Sequence, residues 1–332
     1  MDYKEIFVPG RLCLLGEHSD WASSYSGVGT GTAIVSGIDL GITAKYKISN
    51  KTSFKYNNYL LEITKNTNLD EIAKSEHFLK YVAGTIKYIL ENYKVGNVEI
   101  IIKNNTLPIK KGLSSSACIC VLITKIYNDL FNLNLSIEEE MNIAYYGERN
   151  TNSLCGRLDQ LCAYGKKLIL VKFKGEKTIT KVINKNHNIY MVFADLNKSK
   201  DTIKILKDLN ANIYNFKKTI GSENRKIIKK SLKAIEKENN QELGTLFNIA
   251  QNEFDKNIAI YSDELKAPCL HTYLNDPYIK ELTYGGKGVG SQGDGSVQFI
   301  AKNKEDQEKL VKYLNKTIEA YKVTLWKKQF QL

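Results

Sequence analysis

The stretch Leu107-Pro108-Ile109-Lys110-Lys111-Gly112-Leu113-Ser114-Ser115-Ser116-Ala117, followed by a small and apolar run over 118–126, decides how this chain is read. A proline and a turn glycine lead into three consecutive hydroxyls, where a helical pattern begins. A helix start carries unpaired N–H groups and the positive end of the helix dipole, which together make a ready anion site. Gly112 has no side chain to keep the backbone away from a ligand. Ser114, Ser115 and Ser116 can donate hydroxyls to phosphate or offer an oxygen to Mg²⁺. Taken alone, the stretch fits equally well a capped helix whose Ser and Ala residues pack closely on a sheet.

The rest of the chain narrows the choice. Its 332 residues leave room for two domains with sizeable cores, and 42% hydrophobic with 25% charged residues is a soluble globular composition. The net charge of +12 is mostly scattered lysine. The Lys-rich part, 198–237, reads as helices with solvated lysine faces and lacks interleaved aromatics or an Arg cluster. Diffuse positive charge of this kind suits a polyanionic small substrate such as a nucleotide better than nucleic acid. None of the six cysteines forms a C-x-x-C pair, and most stand in apolar surroundings, so buried free thiols are expected. Cys118 and Cys120 point apart on a helix, which argues against a bridge. The opening MDYKEIF lacks a basic-then-apolar leader pattern. No apolar run reaches about 18 residues, so a cytoplasmic protein without a membrane span is expected.

In chain order, residues 5–15 have strand character, interrupted at Pro9-Gly10, and a polar loop follows over 16–31. A strand is expected at 33–49, a hairpin at 52–64 turning at Asn57-Asn58, a helix at 69–93 and a strand at 96–103. The helix after the serine loop runs over 115–131, and Ser136-x-x-Glu139 opens another to about Arg149. A short segment at 156–164 bears Asp159. Strands follow at 168–173, 178–182 and 190–195, with a topological change inside 165–185. A helical region over 201–284, a glycine loop over 285–295, a strand at 296–301, a helix at 304–321 and a strand at 322–326 complete an α+β chain in two halves.

Three further stretches carry chemistry. Arg11, Glu17, His18 and Asp20 gather at one strand-to-loop junction. Acids and an imidazole there can hydrogen-bond a polyol, and Arg11 can stabilise charge on a transferring phosphoryl group. The alternative is a loop ion pair and a surface arginine. Glu148 closes one helix, and Asp159 follows Cys155-Gly156-Arg157-Leu158 past a glycine turn. One carboxylate could hold Mg²⁺ while the other orients or deprotonates an attacking hydroxyl; alone, a capping Asp and a surface Glu would explain them as well. Gly285-Gly286-Lys287-Gly288-Val289-Gly290 and its continuation to Gly295 indicate backbone that something approaches closely, or a flexible hairpin connection. The G-x-x-x-x-G-K-[ST], DFG, HRD, H-E-x-x-H and G-x-S-x-G patterns are absent.

In order, residues 9–20, 107–117 and 284–295 resemble the three motifs of the GHMP small-molecule kinases. The first is closest to galactokinases in its P-G-R-x-x-L-x-G-E-H-x-D pattern, with Trp21 where a Tyr is usual. The resemblance extends to Cys155-Gly156-x-x-Asp159-Gln160. It implies an α+β fold with an N-terminal domain similar to ribosomal protein S5 domain 2 (residues 1–186) and a ferredoxin-like C-terminal domain (187–332), with the site in the cleft between them. It also implies roles for individual residues. Asp159 faces the attacking hydroxyl, with Arg11 beside it near the γ-phosphate of ATP. Glu17, His18 and Asp20 contact sugar hydroxyls. Gly112, Leu113, Ser114, Ser115, Ser116 and Ala117 form the phosphate loop, Ser116 and Glu148 bind Mg²⁺, and Gly286 and Gly288 belong to the third motif near phosphates and substrate. Departures are Arg157, the long loop over 21–31, and Asp294, an acid in a loop expected near phosphate.

The expected protein is an ATP- and Mg²⁺-dependent sugar kinase, monomeric or homodimeric, with a small-molecule sugar as its partner and no nucleic acid. The alternatives are a mevalonate-type kinase, against which Asp20 argues, and a non-catalytic sugar sensor on the same fold.

Overall fold

The computed structural model describes residues 2–108, 111–175 and 177–325. Ile109 and Lys110 of the serine-loop stretch, and Trp326 of the expected last strand, lie outside the described residues.

From the N-terminus the elements are β1 (Lys4–Leu15), α1 (Ser19–Ala22), β2 (Gly31–Ile48), β3 (Thr52–Tyr56), β4 (Tyr59–Ile63), α2 (Leu69–Lys74), α3 (Lys80–Asn92), β5 (Val98–Asn105), α4 (Ser115–Phe131) and α5 (Ile137–Arg149). A 3₁₀ turn (Asp159–Tyr164), β6 (Leu168–Lys174), β7 (Lys177–Val182), β8 (Ile189–Asp195), α6 (Thr202–Lys218) and a π-helical turn (Thr219–Glu223) come next. The chain continues through α7 (Asn224–Glu236), α8 (Asn240–Asn257), α9 (Pro268–Asn275), α10 (Pro277–Leu282), β9 (Thr283–Gly288), β10 (Ser296–Ala301), α11 (Lys304–Leu314) and β11 (Glu319–Leu325).

Packing divides the chain into two units interleaved in sequence. One comprises Met1–Arg11 and Gly37–Lys166, the other Leu12–Ser36 and Lys167–Leu332. Residue 186 falls between β7, which pairs β6, and β8, which begins the second sheet. On that ground the fold-level division into 1–186 and 187–332 stands as a proposal beside the division by packing.

In the first unit the strand order is β4-β3-β5-β2, with β1 also paired to β2. β3 runs parallel to β5, while β3–β4 and β2–β5 are antiparallel. Val98 and Ile100 of β5 face inward, as period-two alternation requires. α4 is apolar around most of its circumference and is buried against α3, α5 and the 3₁₀ turn. The expected capping box of α5 is present: Ser136 Oγ accepts the Glu139 N–H, and Glu139 Oε2 accepts the Ser136 N–H at 2.7 Å.

In the second unit an antiparallel sheet, β11-β8-β10-β9, packs its face on α9, α10 and α11 through Val192, Phe299, Leu310 and Leu314. A separate apolar cluster joins Ala22 and Val28 to Ile205, Leu209 and Phe216 of α6. Those contacts assign the segment Leu12–Ser36 to this unit despite its place in the sequence.

Four expectations need correction. β1 passes through Pro9-Gly10 without a break. A β-carbon at Gly10 would stand 2.4 Å from Leu107 Cδ2 and 3.0 Å from the Leu113 carbonyl, so this glycine admits a neighbouring loop. The helix expected at 69–93 is two helices, α2 and α3. Ser75 turns extended, donating its hydroxyl to the Ile72 carbonyl at 2.8 Å and accepting the His77 N–H at 3.2 Å, bonds that compete with helix propagation. The first part of the glycine loop is strand β9. The helix expected to reach 321 ends at Leu314, because the Asn315 side chain bridges the Ala320 N–H (2.8 Å) and carbonyl (3.3 Å) and turns the chain into β11.

Among the described residues no helix is long and apolar enough to cross a membrane. The cysteines are free, with Cys13, Cys118, Cys120 and Cys162 buried. Burial pushes the thiols of Cys120 and Cys162 well above their ordinary range.

Candidate active site

The serine loop lies along β1 in the first unit. The Arg11 N–H donates to the Leu113 carbonyl at 3.1 Å. Gly112 (φ 81°) and Ser114 (φ 60°) are both left-handed, an unfavourable conformation for serine. That conformation has a result: Ser114 Oγ does not cap α4 but donates to Asp159 Oδ1 at 2.6 Å. The same oxygen pairs with the guanidinium of Arg11. Arg11 is 4% exposed and Asp159 31%, so the cation is packed inside while the carboxylate stays open to a reactant. The first helical bond of α4 runs from the Cys118 N–H to the Ser114 carbonyl at 2.9 Å. The N–H groups of Ser115, Ser116 and Ala117 therefore stand at a helix start that no side chain caps. The loop is thus a half-exposed, uncapped helix start with Asp159 and Arg11 at its edge.

Glu148, at the end of α5, is buried, and the hydroxyls of Ser116 and Ser153, the Gln160 amide and the Cys155 thiol are in position to hydrogen-bond it. Gln160 Nε2 donates to Oε2 at 2.9 Å and Ser153 Oγ to Oε1 at 3.4 Å. Among the described residues no Lys or Arg pairs with it. Burial raises its pKa against these hydrogen bonds. A buried carboxylate with hydroxyl neighbours and no cationic side chain is an oxygen donor set that a hard divalent cation would neutralise. The expected Ser116 and Glu148 are therefore brought together. The sign of the shift gives a prediction. With a raised folded pKa, this carboxylate costs stability as pH rises above the ordinary carboxylate range. At pH 7 and without metal, Glu148→Gln raises the thermal midpoint and abolishes the further rise that Mg²⁺ produces in the wild type. Calorimetry and a magnesium titration check both halves; a lower midpoint would mean that the acid is a structural hydrogen-bonding group.

In the second unit, Glu17 forms an ion pair with Lys287 of β9, their side chains 6% and 2% exposed. His18 (φ 65°) opens α1; its Nδ1 accepts from Trp21 Nε1 at 3.2 Å, and its ring stacks on Phe254 with centroids 6.0 Å apart. Burial, with Lys200 and Lys287 nearby, lowers its pKa to about 4. The imidazole is therefore neutral at physiological pH and carries its proton on Nε2. Asp20 is half-exposed on α1.

The third motif is explained from within the unit. A β-carbon at Gly285 would lie 2.0 Å from the Gly244 carbonyl of α8, one at Gly286 2.4 Å from the Phe299 ring, and one at Gly288 2.2 Å from Gln292 Oε1. What approaches this backbone closely is the protein itself. Asp294 accepts the Leu270 N–H at 2.7 Å and so serves the first turn of α9. Arg157 lies over the Tyr145 ring at 4.1 Å and donates to Asn142 at 2.8 Å. Sequence reasoning passed over Lys287, although it is the one charge within the run 285–290 and so left a visible signal. It also gave no role to Ser153 or Phe254, which had none.

Residues 80–166 match the family description "GHMP kinases N terminal domain". That match covers part of the first unit, and over nearly its whole length the chain shares the fold of solved GHMP kinases. Among curated proteins it is similar to the galactokinase of Thermosipho africanus, 32% identical over 166 residues, covering 49% of this chain and 44% of that one. The chain spans less than half the length of the curated relatives it first matches. Two solved structures share the fold. The mevalonate kinase of L. major, solved with R-mevalonate, has a TM-score of 0.74 at 18% identity and covers 98% and 96% of the two chains. The galactokinase of Lactococcus lactis, solved with galactose, has a TM-score of 0.72 at 18% identity and covers 100% and 95%.

Proposed function

We propose that the protein is an ATP-dependent sugar kinase that transfers the γ-phosphate of ATP to a hydroxyl of a monosaccharide. The observation that carries this reading is the junction of Asp159, Arg11 and Ser114 at the uncapped start of α4. The helix start and the Ser115–Ala117 N–H groups bind the phosphates of ATP. Asp159 orients the acceptor hydroxyl and takes its proton as the oxygen attacks the γ-phosphorus and ADP departs. Arg11, fixed by its pair with Asp159, stabilises charge on the transferring group. Ser116 and Glu148 would hold Mg²⁺, which when bound neutralises charge on the phosphates. Glu17, His18 and Asp20 contact the sugar, with His18 as a neutral N–H donor. The similarity of half the chain to galactokinases supports a sugar over mevalonate as acceptor. A cytoplasmic protein is part of the same reading.

ADP release measured over a panel of monosaccharides, mevalonate and homoserine tests it. Turnover of at least one sugar is expected. Turnover of mevalonate alone, or silence with every acceptor, overturns the reading.

A further inference from the structure

An open recess in the second unit is lined by Gly16, Glu17, Glu253, Phe254, Lys287 and Gln292, with Glu223 of the π-helical turn on its wall. Its floor holds the Glu17–Lys287 ion pair, both members almost wholly removed from water. Such a pair is costly: each ion loses its hydration, and an apolar pair of similar volume often stabilises a fold as well or better. Lys287 is in addition set in a glycine strand, donating a second N–H to the Gly288 carbonyl at 2.8 Å, so its ammonium is tied at two points. Glu17 stands one residue beyond Gly16 (φ 95°). At Gly16 a β-carbon would strike the Thr32 carbonyl at 2.3 Å, so the backbone carrying this carboxylate is fixed as well. The charge pattern is equally specific. The pair sums to zero, Glu253 accepts from Asn257 at 2.9 Å and has no cationic partner among the described residues, and Glu223 has an exposed lysine, Lys218, at 3.7 Å. An anion in the recess would meet the carboxylates of Glu253 and Glu223, whereas a hydroxyl would meet a fixed acceptor on Glu17 in a recess that Phe254 also lines.

We infer that Lys287 is a positioning residue for ligand binding: it holds the Glu17 carboxylate in one orientation on the lining of this recess, which takes an uncharged polyol and rejects anionic ones. The identity of that polyol as the phosphate acceptor rests on the sugar-kinase reading; the binding does not.

The test is calorimetric titration of the full chain, without nucleotide, by galactose, glucose, mannose, fucose and galactose 1-phosphate. At least one neutral sugar binds, and the phosphate ester binds more weakly than galactose. Lys287→Met weakens the neutral sugar about tenfold or more, since a hydrogen bond to a well-held charged group is at stake; Lys287→Arg recovers part of the loss. In turnover, Lys287→Met raises the acceptor KM and leaves the ATP KM unchanged. The double variant Glu17→Gln/Lys287→Met separates a structural pair from a positioning one, for it regains thermal stability but not sugar affinity. Recovery of both, tighter binding of galactose 1-phosphate, or no binding by any neutral sugar overturns the inference. Sugar binding without turnover would sink the kinase reading and leave this one standing. Turnover with an unchanged acceptor KM in Lys287→Met would do the reverse.

Discussion

Asp159→Asn lowers kcat by about three orders of magnitude while ATP affinity stays within about threefold. Asparagine keeps the shape of the side chain and an oxygen for Arg11 and Ser114, both of which converge on Oδ1 in the wild type. On the proposed mechanism it loses the ability to take a proton from the acceptor hydroxyl. The N–H groups proposed to bind phosphate at the start of α4 do not depend on this side chain, so nucleotide binding is expected to be spared. The substitution also leaves the buried guanidinium of Arg11 without its anionic partner, a cost in stability. Kinetics are therefore taken well below the variant's own melting midpoint. Coupled ADP release gives kcat, and an ATP titration gives the affinity. A kcat within tenfold of wild type would remove Asp159 from proton transfer and leave it as a clamp for Arg11.

The second large effect concerns folding. Gly285→Ala destabilises the protein by about 3 kcal/mol or more, because both atoms in conflict are awkward to move. The added β-carbon would sit 2.0 Å from the Gly244 carbonyl oxygen, and the Asn248 side chain follows at 2.8 Å. Asn248 cannot swing away freely, since its Oδ1 accepts the Gly286 N–H at 3.0 Å. α8 and β9 would have to separate, weakening the pairing of β9 with β10. Denaturant unfolding followed by circular dichroism measures the change; a variant within 1 kcal/mol of wild type would show that α8 slides at little cost. Gly165→Ala is the control of a different kind, since nothing lies within 4 Å of its β-carbon position and only its backbone angle (φ 69°) resists.

These two residues also show what the amino-acid sequence discloses. The meeting of Asp159 with Arg11 and the serine loop was legible because several chemical types at fixed spacing pointed to one place, and α4, α5 and the strands around them followed from plain periodicity. Gly285 was legible in part, because glycine marks close approach without naming the visitor. A phosphate and a helix backbone ask the same absence of a side chain, and only the tertiary structure identifies Gly244 of α8. Asp294 is a similar case, an acid whose partner is the amide of a helix distant in sequence. The signal of Lys287, one charge among glycines, is weakened by the lysine-rich chain around it, whereas burial against Glu17 makes it unusual. The break between α2 and α3 escaped notice for another reason: Ser75 bonds its own neighbours, a local competition that apolar spacing does not register.

The interleaving of the two units has a consequence for how the chain is made. Leu12–Ser36 leaves a ribosome well before the α6 residues that help cover Ala22 and Val28, which emerge nearly two hundred positions later. During that interval the segment holds an apolar surface with no partner of its own. A polypeptide halted at Lys166 would possess every residue of the first unit and would also carry an orphaned insert, so shortening this protein by domains means excising a piece from the middle, not cutting at one end.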